Sequence, residues 1–172
     1  MKKIILLFTL VIFGFGIEIG SVVPQVVLSK KDGGLVSGGA FDLSSLRGKV
    51  YLLVYSDPDK RDLNEEFFEK VKAKNFDRSK YGSVAIINMA ATWMPNFLLN
   101  AILKKKQKKF PQTIYVKDNR KVLVKKWGLA DQNQDIVIID KEGRVVFYKA
   151  GKLSPKEQER ALEILTEKIQ ND

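Results

Sequence analysis

The sequence predicts an α/β fold, a central mixed sheet flanked by helices with an N-terminal β-hairpin extension. Val50 to Tyr55 and Ser83 to Met89 are almost wholly apolar runs without alternation, as in strands buried on both faces between helices. Asp135 to Asp140 and Arg144 to Tyr148 flank Lys141-Glu142-Gly143, a hairpin turn with glycine where positive φ is favoured. Ser154-Pro155-Lys156-Glu157 combines a capping box with proline at the first helical position.

The remaining elements follow in chain order. Val22 to Leu28 and Gly38 to Phe41 flank Gly33-Gly34 and are expected to form the N-terminal hairpin, with Leu43 to Lys49 as a short connector to the first core strand. Asp62 and Glu65 have the spacing of an N-cap and its reciprocal partner, and Phe67, Phe68 and Val71 recur at helical spacing. After the second core strand, Pro95 opens a helix with Phe97, Leu98, Ala101 and Ile102 as its apolar stripe. Thr113 to Val116 is a short strand and Lys121 to Trp127 a short helix. Ala161, Leu162, Leu165 and Ile169 give the terminal helix one apolar face.

Residues 1–16 read as a cleavable signal peptide. Lys2 and Lys3 precede an apolar run from Ile4 to Phe13, and Gly14-Phe15-Gly16 places small residues where a signal peptidase cuts, so cleavage is expected after Gly16. The run is shorter than the ~20 residues that span a bilayer. Residues 17–172 then form a single domain, expected in the periplasm with no transmembrane segment. The chain carries 30 basic and 20 acidic side chains, a formal net charge of +10. Only Lys2 and Lys3 leave with the leader, so weak contact with anionic envelope surfaces is expected of the rest.

Two absences bound the chemistry. There is no cysteine, which excludes thiol-disulfide exchange and disulfide bonds. There is no histidine, which excludes a serine-histidine triad and the commonest transition-metal ligand. Hydrolysis by paired carboxylates survives on composition.

Pro24 to Leu28, Leu43-Ser-Ser-Leu-Arg-Gly-Lys-Val50, Phe110-Pro111, Trp127-Gly128-Leu129 and Ile138-Ile-Asp-Lys-Glu-Gly143 resemble the framework of exported TlpA/ResA-type thioredoxin-like proteins. Tyr55-Ser-Asp-Pro-Asp59, the stretch Ala85 to Asn96 and the stretch Lys121 to Asp131 closely resemble the YtfJ family within that superfamily. The resemblance implies a thioredoxin-like fold and an exported protein, and no activity is assigned to the family. It also implies where redox chemistry would sit: a Cys-x-x-Cys pair at Lys60 and Leu63, or with one residue of slippage at Asp59 and Asp62, and a cis-proline at Gln134. Both halves of that signature are missing. A second register is also open, in which Ala91-Thr92-Trp93-Met94-Pro95 takes the cysteine-bearing position, although it leaves the Leu43 to Val50 connector unexplained.

The candidate site is the edge beyond the carboxyl ends of the strands, where open α/β sheets bind ligands. There Trp93 would be an aromatic wall, and Asp57, Asp59, Asn96 and Gln134 polar contacts. Trp93 is expected to be partly buried. No cofactor or metal is expected: Asp131-x-Asn133-x-Asp135 imitates a calcium loop but has Ile136 where the loop needs glycine. Lys104 to Lys109 holds five lysines at a helix C-terminus, where cations complement the dipole, and no aromatic residues interleave them for nucleic-acid stacking. Nucleic acid is therefore not an expected partner. The expected function is a redox-inert periplasmic binding module for an envelope protein, peptide or small ligand. The alternative is a cysteine-independent enzyme using carboxylates of the Asp57 to Asp62 loop.

Overall fold

The computed structural model describes residues 16–170, so the Lys2 to Phe15 part of the signal-peptide reading lies outside the described residues. Eight strands and four α-helices are described: β1 (Val27–Leu28), β2 (Gly33–Leu35), β3 (Phe41–Asp42), β4 (Val50–Ser56), α1 (Glu65–Ala73), β5 (Tyr81–Asn88), α2 (Asn96–Lys109), β6 (Thr113–Asp118), α3 (Val122–Trp127), β7 (Gln134–Ile139), β8 (Val145–Ala150) and α4 (Pro155–Gln170). Six strands make one sheet in the order β2-β6-β5-β4-β7-β8. β4, β5 and β6 are parallel, while β7, β8 and β2 join antiparallel, so the sheet is mixed as predicted. None of the described helices is long and apolar enough to cross a membrane.

The two arms of the expected N-terminal hairpin pair antiparallel, but the connection between them is more than a turn. β1 pairs with β3, but Gly33 and Gly34 belong to β2, an edge strand against Lys117 and Asp118 of β6. A Cβ on Gly33 would run into the Lys117 carbonyl, so glycine here permits close backbone approach rather than a turn. Gly143, with φ of 76°, is the turn glycine the sequence indicates. Asn64, not Asp62, stands at the N-cap of α1, and the Asp62 carboxylate instead meets Arg61 at 3.3 Å. The capping box of α4 forms as read: the Ser154 amide donates to Glu157 Oε2 at 2.8 Å, and the Glu157 amide returns to Ser154 Oγ at 3.4 Å.

The two sheet faces are covered unequally. On one face a continuous core joins Leu43 and Leu46 of the connector, Leu53 and Tyr55 of β4, Val84 and Ile86 of β5, and Leu123 and Trp127 of α3. The indole of Trp127 donates to the Pro24 carbonyl at 2.9 Å, tying the N-terminal segment down. On the other face the core is split. α1 and α4 pack over β4, β7 and β8 in one cluster, and α2 packs over β5 and β6 through Leu99 and Leu103 in another.

α2 therefore faces the sheet differently from the predicted stripe: Leu99 and Leu103 are buried, whereas Phe97, Leu98 and Ile102 are exposed. Trp93, expected to be partly buried, is 89% exposed, and Trp127 is 1% exposed. Stability should separate the two. By chemical denaturation, Trp127→Ala is expected to cost about 3 to 5 kcal/mol, and Trp93→Ala to stay within about 0.5 kcal/mol of the parent.

Candidate functional site

The parallel strands β4, β5 and β6 end at one edge of the sheet, which gathers the 57–64 and 89–95 loops and the 119–121 and 128–133 segments that flank α3. Gln134, at the start of β7 and opposite Ser56, is 1% exposed. Its amide nitrogen lies 3.2 Å from the Ser56 hydroxyl, 3.2 Å from the Lys60 carbonyl and 3.1 Å from the Arg61 carbonyl, and its amide oxygen accepts from Asn64 Nδ2 at 2.9 Å. Asn64 also donates to the Gly151 carbonyl at 3.0 Å and accepts from the Leu153 amide at 2.8 Å. Two side-chain amides thus hold the loop after β4 against β7 and the segment leading into α4. Gln134 meets this loop and not the Trp93 loop, as the first register requires. At the position where the resemblance places a cis-proline, this chain has a hydrogen-bonded glutamine.

Asp57 also points inward and is 2% exposed. Its Oδ1 accepts from Asn88 Nδ2 at 3.0 Å, and the same nitrogen lies 3.3 Å from Asp131 Oδ1. Asp57 Oδ2 is buried without a hydrogen-bond partner. Burial pushes the Asp57 carboxyl up to about 6, the Asn88 hydrogen bond opposes this, and the Asp131 charge reinforces it. Asp131 is held below the usual range, chiefly by Lys121 at 2.7 Å. Asp135, buried beside Tyr148, is likewise raised to about 6 by burial. The predicted residues therefore divide: Asp57 and Gln134 are interior, whereas Asp59, Asn96 and Trp93 are exposed. They do not converge on one pocket.

A cleft that the sequence reading missed lies between the two packed clusters. It encloses about 580 Å³ and runs along the sheet between α1 and α2. Its floor consists of strand pairs in register, Leu52 with Ser83, Val54 with Ala85 and Ser56 with Ile87, which period-two alternation puts on one face. Phe68 and Phe76 form one wall, and Ile102, Leu103 and Phe110 the other. Val54, Ala85 and Ile87 are only half-buried although β4 and β5 are the two central strands. One end opens beside Pro58, Arg61 and Gln134, and the other beside Arg78 and Lys106, where β5 and β6 begin. The available signal was α2 itself: Phe97, Leu98, Leu99, Ile102 and Leu103 are more apolar residues than one helix face can bury.

Two outcomes test the edge. Gln134→Ala removes the donor to the Arg61 carbonyl and the acceptor of one Asn64 N–H, and is expected to cost about 2 to 3 kcal/mol; a double-mutant cycle with Asn64→Ala should show coupling of about 1 kcal/mol or more. Because the folded Asp57 pKa exceeds its unfolded value of 3.8, the folded state holds more protons than the unfolded one between pH about 4 and about 6, and stability falls as pH rises through that window. Asp57→Asn should therefore raise the melting temperature at pH about 7.5, with the gain shrinking toward pH about 4.

Residues 21–168 match the family described as bacterial protein of unknown function (YtfJ_HI0045). An uncharacterized protein of Haemophilus influenzae is 29% identical over 143 residues, spanning 82% of this chain and 77% of that one. The uncharacterized protein YtfJ of Escherichia coli is 24% identical over 156 residues, spanning 86% and 85%. Similar solved structures include a thiol-disulfide isomerase from Corynebacterium glutamicum, with TM-score 0.62 and 16% identity over 88% of this chain and 97% of that one. They also include a thiol peroxidase from Chromobacterium violaceum, with TM-score 0.62 and 13% identity over 90% and 89%. At such identities the likeness shows the fold alone, which is thioredoxin-like. The match over most of its length establishes that this chain belongs to the YtfJ family.

Proposed function

We propose that the chain is a redox-inert binding module, exported to the periplasm, whose site is the apolar cleft between α1 and α2. The observation that carries this reading is the incompletely buried floor of Val54, Ala85 and Ile87 on the two central strands. Central strands of an α/β sheet ordinarily lie under helices. Leaving apolar floor accessible forgoes about 25 cal/mol for each Å² left in water, a cost that binding an apolar ligand recovers. Export rests on the basic and apolar N-terminal run.

The carboxylate-enzyme alternative requires two acids converging on a pocket. Asp57 is interior and does not line the cleft, Asp59 is exposed, and Asp62, which lines one end, is paired with Arg61. This arrangement favours binding over hydrolysis.

A neutral apolar dye tests the cleft directly. Nile red is expected to bind the folded protein at one site with enhanced fluorescence, and Ala85→Phe, which fills the floor, to reduce binding at least about tenfold with the circular dichroism spectrum retained. Absence of binding, or binding unchanged by Ala85→Phe, would remove the cleft as the site.

A further inference from the structure

The chemistry of the cleft narrows its ligand, given that the cleft is the binding site. Its floor is made from β4 and β5, each hydrogen-bonded to a neighbour on both sides. No free strand edge is available, so an extended peptide lying there would find no backbone partners for its own N–H and C=O groups. An acyl chain has no such groups to satisfy. A volume of about 580 Å³ with a mostly hydrocarbon lining suits a single chain of that kind.

Charge then fixes the other end of the ligand. Four cationic residues line the cleft: Arg61, Lys72, Arg78 and Lys106. Arg61 pairs with Asp62 at 3.3 Å and Lys72 with Glu69 at 3.1 Å. Arg78 and Lys106 have no carboxylate partner among the described residues; Arg78 lies over the Tyr81 ring at 5.1 Å, and Lys106 is half-buried at the cleft wall. Both stand at the end where β5 and β6 begin. The opposite end carries the acid Glu65. An anionic head is therefore attracted to one end and repelled from the other.

We propose that the cleft binds a long-chain fatty acid, with the acyl chain over Val54, Ala85 and Ile87 and the carboxylate at Arg78 and Lys106. The lysines of α2 beyond Lys106 extend the positive potential outward from that end and favour capture of the anion.

The test uses the folded protein with carbon-13-labelled methyl groups, titrated with dodecanoate below its micelle concentration and, in parallel, with dodecanol and dodecyltrimethylammonium. Dodecanoate is expected to shift the Val54, Ala85 and Ile87 methyl resonances saturably and to bind at least about tenfold more tightly than dodecyltrimethylammonium. Decanoate should bind about fifteenfold more weakly than dodecanoate, the fold-change equivalent to ~0.8 kcal/mol for each of two methylenes lost. Reversing charge with Arg78→Glu and Lys106→Glu together should weaken dodecanoate at least about tenfold while leaving dodecanol unchanged. Equal binding of all three head groups, or dodecanoate binding unaffected by the reversed charges, overturns the fatty-acid proposal but leaves the cleft as an apolar site. Preferential occupation by a hydrophobic peptide replaces the ligand class. Failure of every amphiphile and of the peptide to shift those methyl groups overturns both the proposal and the binding reading on which it rests.

Discussion

The interaction on which the edge beyond the carboxyl ends of the parallel strands depends is the buried amide pair of Gln134 and Asn64. Together these side chains take up the Lys60 and Arg61 carbonyls, the Gly151 carbonyl and the Leu153 amide. The Arg61 and Gly151 carbonyls and the Leu153 amide take their side-chain partners here, while the Lys60 carbonyl also accepts from the Leu63 amide at 3.1 Å. One bond at 2.9 Å therefore joins the loop after β4, the start of β7 and the approach to α4. The same geometry packs the loop after β4 against the start of β7.

Beside that bonded edge, accessible apolar surface appears on the sheet face. The two clusters there do not merge because α1 leans on α4 through Phe67, Val71, Ala161 and Leu165, while α2 is anchored over β6 by Leu99 and Leu103 against Tyr115. Each helix satisfies its own neighbour, and the strip of β4 and β5 between them is left partly uncovered. A buried amide network is a rigid support, and an apolar cleft beside it is the kind of preformed concavity that holds a small ligand.

Much of this fold was legible in the sequence because its signals are local. Non-alternating apolar runs gave β4 and β5, Gly143 gave the β7 to β8 turn, and Ser154 with Glu157 gave the start of α4 within four residues. The errors came from interactions between distant segments. Gly33 reads as a turn until Lys117 is known to lie against it, and Asp62 reads as a cap until Asn64 is seen bonded 70 residues away to Gln134. The cleft was illegible for a related reason: α2 is apolar on several sides between Phe97 and Leu103, so periodicity alone did not choose the face that meets the sheet. Trp93 lost its expected burial with that choice, and Gln134 and Asp57, expected as polar contacts of a site, lie buried in hydrogen-bonded networks.

The central claim is an open apolar channel over the two middle strands, and xenon reads such a space without supplying any polar contact of its own. A crystal of the protein pressurised with xenon should show electron density for the gas over Val54, Ala85 and Ile87, between Phe68 on α1 and Ile102 on α2. Density confined to other parts of the molecule, with Phe68 and Ile102 in van der Waals contact across a closed floor, would contradict it.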